Sequence, residues 1–122
     1  MRRNGFTLIE LLVVIVVIGI LSTIAILKHA QTRENAYLVT MKSDLRTMLD
    51  AEVSYFADSQ AYTTALPPSY YASGDVTGPT ITVNGNNLTG WVGNPHTTRT
   101  CAIFIGDAPL PPALKEGEPQ CS

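Results

Sequence analysis

The sequence predicts an α+β protein in which one long N-terminal helix, apolar in its first half and amphipathic in its second, packs on a small antiparallel β-sheet. Three observations carry this. From Phe6 to Leu27 the chain holds a single ionisable side chain, Glu10. From Lys28 to Ala65 there is no glycine or proline, and Leu38, Met41, Leu45, Leu49, Val53 and Phe56 recur every three or four residues, the spacing of one helix face. Beyond that point short β-rich stretches, broken by Asn-Gly and by prolines, replace the helical pattern.

The 122 residues fit one soluble domain plus an anchor. With residues 1–27 set aside, about ninety-five remain, enough for a modest core. Ten acids against eight bases give a formal charge of -2, and without Arg2 and Arg3 the balance is six bases against ten acids. That is not the basic footprint of a dedicated nucleic-acid binder.

Met1-Arg2-Arg3-Asn4-Gly5 is short, basic and polar, and abuts the apolar run directly. A secretory signal would begin in this way, but its apolar core is about 7–15 residues and ends at a small-x-small site. Here the run is longer, carries Glu10 near its start and ends in Ile24-Ala25-Ile26-Leu27-Lys28, so removal of the whole segment is rejected. As a helix, Phe6 to Leu27 rises about 33 Å, close to the hydrocarbon thickness of a bilayer. Arg2 and Arg3 on one flank face Lys28, Arg33 and Lys42 on the other, so charge counting alone leaves the orientation open. The β-branched run from Val13 to Ile18 favours helix only because lipid demands internal hydrogen bonding. Gly19, Ser22 and Thr23 interrupt it, either as a close-packing or flexible point or as small residues that a membrane helix tolerates.

The amphipathic half is expected over residues 28–58, with Lys42, Asp44, Arg46, Asp50 and Asp58 on its solvated side. One helix from Phe6 to Asp58 would be roughly 80 Å long, more than the head can cover, so its bare half requires lipid or other subunits. A connector, 59–78, carries Pro67-Pro68. The sheet and C-terminal loop occupy 79–122. Thr80-Ile81-Thr82-Val83 and Asn86-Asn87-Leu88-Thr89 flank Asn84-Gly85, which predicts a two-residue type I′ hairpin with Ile81 opposite Leu88. Ile81, Val83 and Leu88 then face the core, and Trp91 falls on the other parity unless a bulge near Gly90 turns it inward. Thr98 to Ile105 reads as a further strand with Cys101, Ile103 and Ile105 on one side, followed by a loop rich in proline. Cys101 and Cys121 are the only cysteines. In an oxidising space one disulfide is the economical reading, closing a loop of about 20 residues and contributing about 3 kcal/mol on the chain-entropy model; the alternative is two reduced, unrelated thiols.

No catalytic constellation and no metal or cofactor site stands out. His29 and His96 are the only histidines, no Cys-x-x-Cys pair accompanies them, and no phosphate or calcium loop is present. Asn87-Leu88-Thr89 matches a glycosylation sequon but sits in a predicted strand. Glu10 is the exception. One reading has it snorkel to the headgroups near the membrane surface. The other depends on a cut after Gly5, which turns the Phe6 α-amino group into a cation that Glu10 of a neighbouring subunit neutralises, selecting register by leaving misdocked charges unpaired.

Gly5-Phe6-Thr7-Leu8-Ile9-Glu10-Leu11-Leu12-Val13-Val14 resembles the class III signal of type IV pilins and related pseudopilins, and Tyr37 to Asp58 resembles the pilin stalk; the head is similar in architecture only. The resemblance implies the type IV pilin fold and a leader, residues 1–5, removed between Gly5 and Phe6 by a prepilin peptidase that methylates the new Phe6 amine. It implies an assembly half, residues 6–27, in which Glu10 pairs with Phe6 of an adjacent copy. It implies a helical homopolymer drawn from the bacterial inner membrane to the cell surface by an assembly ATPase and a membrane platform protein. Cys101 and Cys121 resemble the pair enclosing the C-terminal loop of many pilins. Where many pilins carry a proline near the end of the apolar run, this chain has Leu27, so any melting would rely on Gly19, Ser22 and Thr23. The implied function is a non-enzymatic pilus subunit for adhesion, motility or DNA uptake. Alternatives are a type II secretion pseudopilin, or a minor pilin whose head binds DNA or a surface ligand, for which the head offers Arg99 and Lys115 as bases.

Overall fold

The computed structural model describes residues 5–122; Arg2 and Arg3 of the expected leader lie outside them. A single helix, α1 (Leu8–Ser59), precedes four strands, β1 (Thr77–Asn84), β2 (Asn87–Asn94), β3 (Thr97–Ile105) and β4 (Gln120–Cys121). The strands form one antiparallel sheet in the order β1-β2-β3-β4, so the α+β architecture is as the sequence predicts. The chain divides into two units after Arg33.

In the first unit every described residue is exposed, Leu8 to Leu27 included. This stretch makes α1 long and apolar enough to cross a membrane.

In the second unit α1 lies on the inner face of the sheet. Met41, Leu45 and Met48 are fully buried with Ile81, Leu88, Val92, Cys101 and Ile103, each large side chain worth about 1.5–3 kcal/mol on burial. Gly90 allows this approach: a Cβ there would stand 2.8 Å from Met48 Cε. The helix ends where Gln60 takes a positive φ of 59° while its N–H still donates to the Phe56 carbonyl at 2.8 Å, a left-handed C-terminal cap. On the outer face of the sheet, Ala102 and Phe104 pack with Leu110 and Ala113 of the C-terminal loop. The head is therefore layered as helix, sheet and loop.

Several expectations are corrected. The helix face that reaches the core is Met41, Asp44, Leu45, Met48, Ala51 and Glu52, whereas Val53 is 49% exposed. Asp44, assigned to the solvated side, is buried. The hairpin pairs Asn84 with Asn87 and Ile81 with Gly90, so its central residues are Gly85 and Asn86. Gly85 has φ 62°, and glycine at the first central position with positive φ is the type II′ pattern rather than I′. The register differs by two residues, which preserves parity: Ile81 and Leu88 are still buried and Val83 packs against them. Trp91 points outward, 45% exposed; the irregularities fall at Thr77/Thr80 and Val92/Asn94 rather than at Gly90. The predicted third strand is present. The two-residue β4 beyond it, which places Cys121 opposite Cys101, has too little pattern to be seen in sequence.

Candidate assembly site

The start of α1 is set by a capping box. Thr7 is the N-cap: its carbonyl accepts from Leu11 N–H at 3.3 Å and its hydroxyl accepts from Glu10 N–H at 3.4 Å. Glu10 reaches back, its Oε2 accepting from the Thr7 N–H at 2.8 Å and from the Thr7 hydroxyl at 2.6 Å. Both bonds end on Oε2, so Oε1 takes no part in the box. Thr7-Leu8-Ile9-Glu10 is the S/T-x-x-E signature of this motif, legible in the sequence but overshadowed there by the question of why a carboxylate stands in an apolar run. Glu10 thus has a role within its own helix.

Around the box, Phe6, Ile9, Glu10, Val13 and Val14 line a shallow groove of about 380 Å³. Their spacing is that of a single helix stripe, and Glu10 is the one charge on it. Phe6 is 81% exposed, and Gly5 has no atom near enough to oppose a side chain. An exposed apolar surface of this extent is completed by lipid or by protein. Gly19, Ser22 and Thr23 lie on continuous helix; the Thr23 hydroxyl donates to the Gly19 carbonyl at 3.0 Å, a bond type associated with helix bending. Gly19 itself faces open space.

In the head, Cys101 and Cys121 form a disulfide across a separation of 20 residues. It closes the C-terminal loop, which is further held by Gly117 N–H on the Phe104 carbonyl at 2.9 Å and Ser122 N–H on the Thr100 carbonyl at 3.0 Å. Arg99 Nε donates to the backbone oxygen of Ser122.

Two acids missed as functional in the sequence hold the connector. Asp44 accepts from Ser73 N–H at 2.9 Å and from the Ser73 hydroxyl at 2.7 Å. Fully buried Glu52 accepts from Thr63 N–H at 3.1 Å through Oε2, while its Oε1 has no partner among the described residues. Burial pushes the Glu52 carboxyl up from its ordinary value, opposed by the Thr63 bond. Tyr70, buried beside them, is pushed up to about 12 by burial and by the charge of Asp44. His96, in the β2–β3 turn, stacks on Tyr37 of α1 with ring centroids 5.4 Å apart; His29 is exposed. Among the described residues no cluster of His, Cys, Asp or Glu has metal-site geometry.

The first unit is thus a helix long and apolar enough to cross a membrane that opens on this box, and the second is a small head closed by a disulfide. Residues 1–26 match the prokaryotic N-terminal methylation motif. The chain is 36% identical over 61 residues to the type IV major pilin protein PilA of Myxococcus xanthus, covering 50% of this chain and 28% of that one. It is 33% identical over 61 residues to the type II secretion system core protein G of Pseudomonas aeruginosa, covering 50% of this chain and 43% of that one. The matched segment therefore spans less than half the length of either relative. The N-terminal half of the chain is thus similar both to a type IV pilin and to a type II secretion core protein.

Proposed function

We propose that this chain is the structural subunit of a type IV pilus, anchored in the bacterial inner membrane by residues 6–27 until it enters a helical filament on the cell surface. The observation that carries the reading is Glu10, the one charge on a wholly exposed apolar stripe, four residues after Phe6. A prepilin peptidase cuts between Gly5 and Phe6 and methylates the Phe6 amine. Glu10 Oε1, the oxygen outside the capping box, then receives the amine of an adjacent copy. A subunit docked at the wrong height leaves both charges unpaired in an apolar setting, which is costly enough to fix register. An assembly ATPase and a platform protein draw the subunits from the membrane, and the bend this requires falls at Gly19, Ser22 and Thr23. The filament serves adhesion, motility or DNA uptake, and no step asks the chain to catalyse a reaction.

The similarity to a type II secretion core protein supports a second reading, a pseudopilin in a short periplasmic fibre. Electron microscopy and secretion assays on cells lacking this chain separate the two. Loss of long surface filaments with secretion intact is the expected result; intact filaments with failed secretion would move the chain to the second reading.

A further inference from the structure

The face of α1 opposite the core carries a groove lined by two cations. Val39, Lys42, Ser43 and Arg46 line a depression of about 380 Å³, with Val39 66% exposed. Lys42 and Arg46 join Arg99 and Lys115 as the bases of the head unit. From Glu34 to Ser122 there are four bases against nine acids. Arg99 pairs with Glu34 at 3.9 Å and Lys115 with Glu118 at 3.6 Å. Lys42 and Arg46 have no carboxylate in ion-pair range among the described residues. Two like charges one turn apart disfavour the isolated helix; Asp50, exposed one turn beyond Arg46 on the same face, offsets part of this, and an anion from outside the head would offset the rest.

The complementary surface lies on the opposite layer of the same head. Past the end of β3, the C-terminal loop presents Asp107, Glu116 and Glu118, all exposed, with Leu114 exposed beside them. Glu116 Oε1 accepts from Gly106 N–H at 2.8 Å, and Glu118 is shared with Lys115. Asp107 has no cation in range among the described residues. Because helix and loop cover opposite faces of the sheet, one copy can receive and present at once, as a heterologous, non-closing contact requires. A cationic groove with an apolar rim meets an acidic loop with an apolar residue, which also relieves repulsion between acidic heads brought together.

We propose that Lys42 and Arg46 receive the acidic C-terminal loop of a second copy, with Asp107 as the principal carboxylate, adding a contact between heads to the packing of apolar helices. This rests on the filament reading above. Two cations are too few for a strong phosphate footprint, which places an acidic protein segment ahead of DNA.

The test uses whole cells and sheared filaments of the full chain. Lys42→Glu with Arg46→Glu should lower filament yield about tenfold through like-charge juxtaposition, with membrane level and leader cleavage unchanged. Adding Asp107→Lys and Glu118→Lys should restore most of that yield. A zero-length carbodiimide, which joins an amine to a carboxylate with loss of water, should give on wild-type filaments an intersubunit cross-linked peptide containing Lys42 and Asp107, and Lys42→Gln should remove that peptide. Undiminished filaments in the doubly reversed variant, or failure of the compensating pair to restore them, overturns the inference and leaves the filament reading standing. Unchanged filaments that lose DNA binding in that variant reassign the groove to nucleic acid and overturn it too. Wild-type cells without filaments containing this chain would sink both readings.

Discussion

Glu10 and Glu52 sit on one helix and do opposite things with the same carboxylate. Glu10 lies in a stretch where every side chain is exposed, closes the helix start through Oε2 and leaves Oε1 outside the capping box. Glu52 is sealed in the head, holds one connector N–H and strands its second oxygen. The first unit is therefore incomplete until other molecules cover it, whereas the second is complete apart from its charged faces. Burial decides the difference: an exposed acid on an apolar stripe is available for recognition, and a buried one is committed to structure.

That contrast breaks most sharply at Glu10. Glu10→Gln keeps an acceptor for the capping box but removes the charge, so filaments should vanish while the leader is still cleaved and the head still folds; abundant filaments by electron microscopy would defeat the pairing. In the head, Cys101→Ala with Cys121→Ala should cost about 2–5 kcal/mol in denaturant unfolding, leaving membrane insertion untouched. Met48→Ala should cost about 2–5 kcal/mol, and Gly90→Val about 1–3 kcal/mol by overpacking the same contact.

A smaller effect sets the two glutamates apart by pH. Burial raises the pKa of the Glu52 carboxyl above its ordinary 4.5, so the folded head binds its proton more tightly than the unfolded chain does. Glu52 is then neutral in both states at low pH and adds no penalty. Its cost to stability appears as pH rises from 4.5 through the raised value and is fully present above it. The melting temperature of Glu52→Gln, compared with wild type across that range, should gain relative to wild type with rising pH; a constant difference would count against a buried, reluctant carboxylate. Smallest of all, Thr7→Ala removes the N-cap hydroxyl and should weaken the start of α1 by about 1 kcal/mol, seen as faster amide exchange confined to the first turn.

Much of this was legible in the sequence, because apolar length, the Asn-Gly turn and two lone cysteines are strong signals. The core trio survived a misplaced turn since a two-residue slip leaves each side chain on its face. The helix stripe failed further along for a geometric reason. Met41, Leu45, Leu49 and Val53 advance by four, and each such step rotates about 40° past a full turn, so Val53 has left the core while Met48 and Glu52 have entered it. Asp44 and Glu52 were unreadable because patterning assigns acids to solvent; only the N–H and hydroxyl of Ser73, twenty-nine residues from Asp44, and the N–H of Thr63, eleven from Glu52, justify their burial.

The central claim is that this chain is processed at Gly5 and polymerised through Phe6 and Glu10. Mass spectrometry of protein sheared from the cell surface tests it most directly. The account predicts a mature chain beginning at N-methylated Phe6, with Cys101 and Cys121 joined, as the main component of the sheared filaments. Surface filaments without this chain, or filaments holding it with Met1 intact, would contradict it.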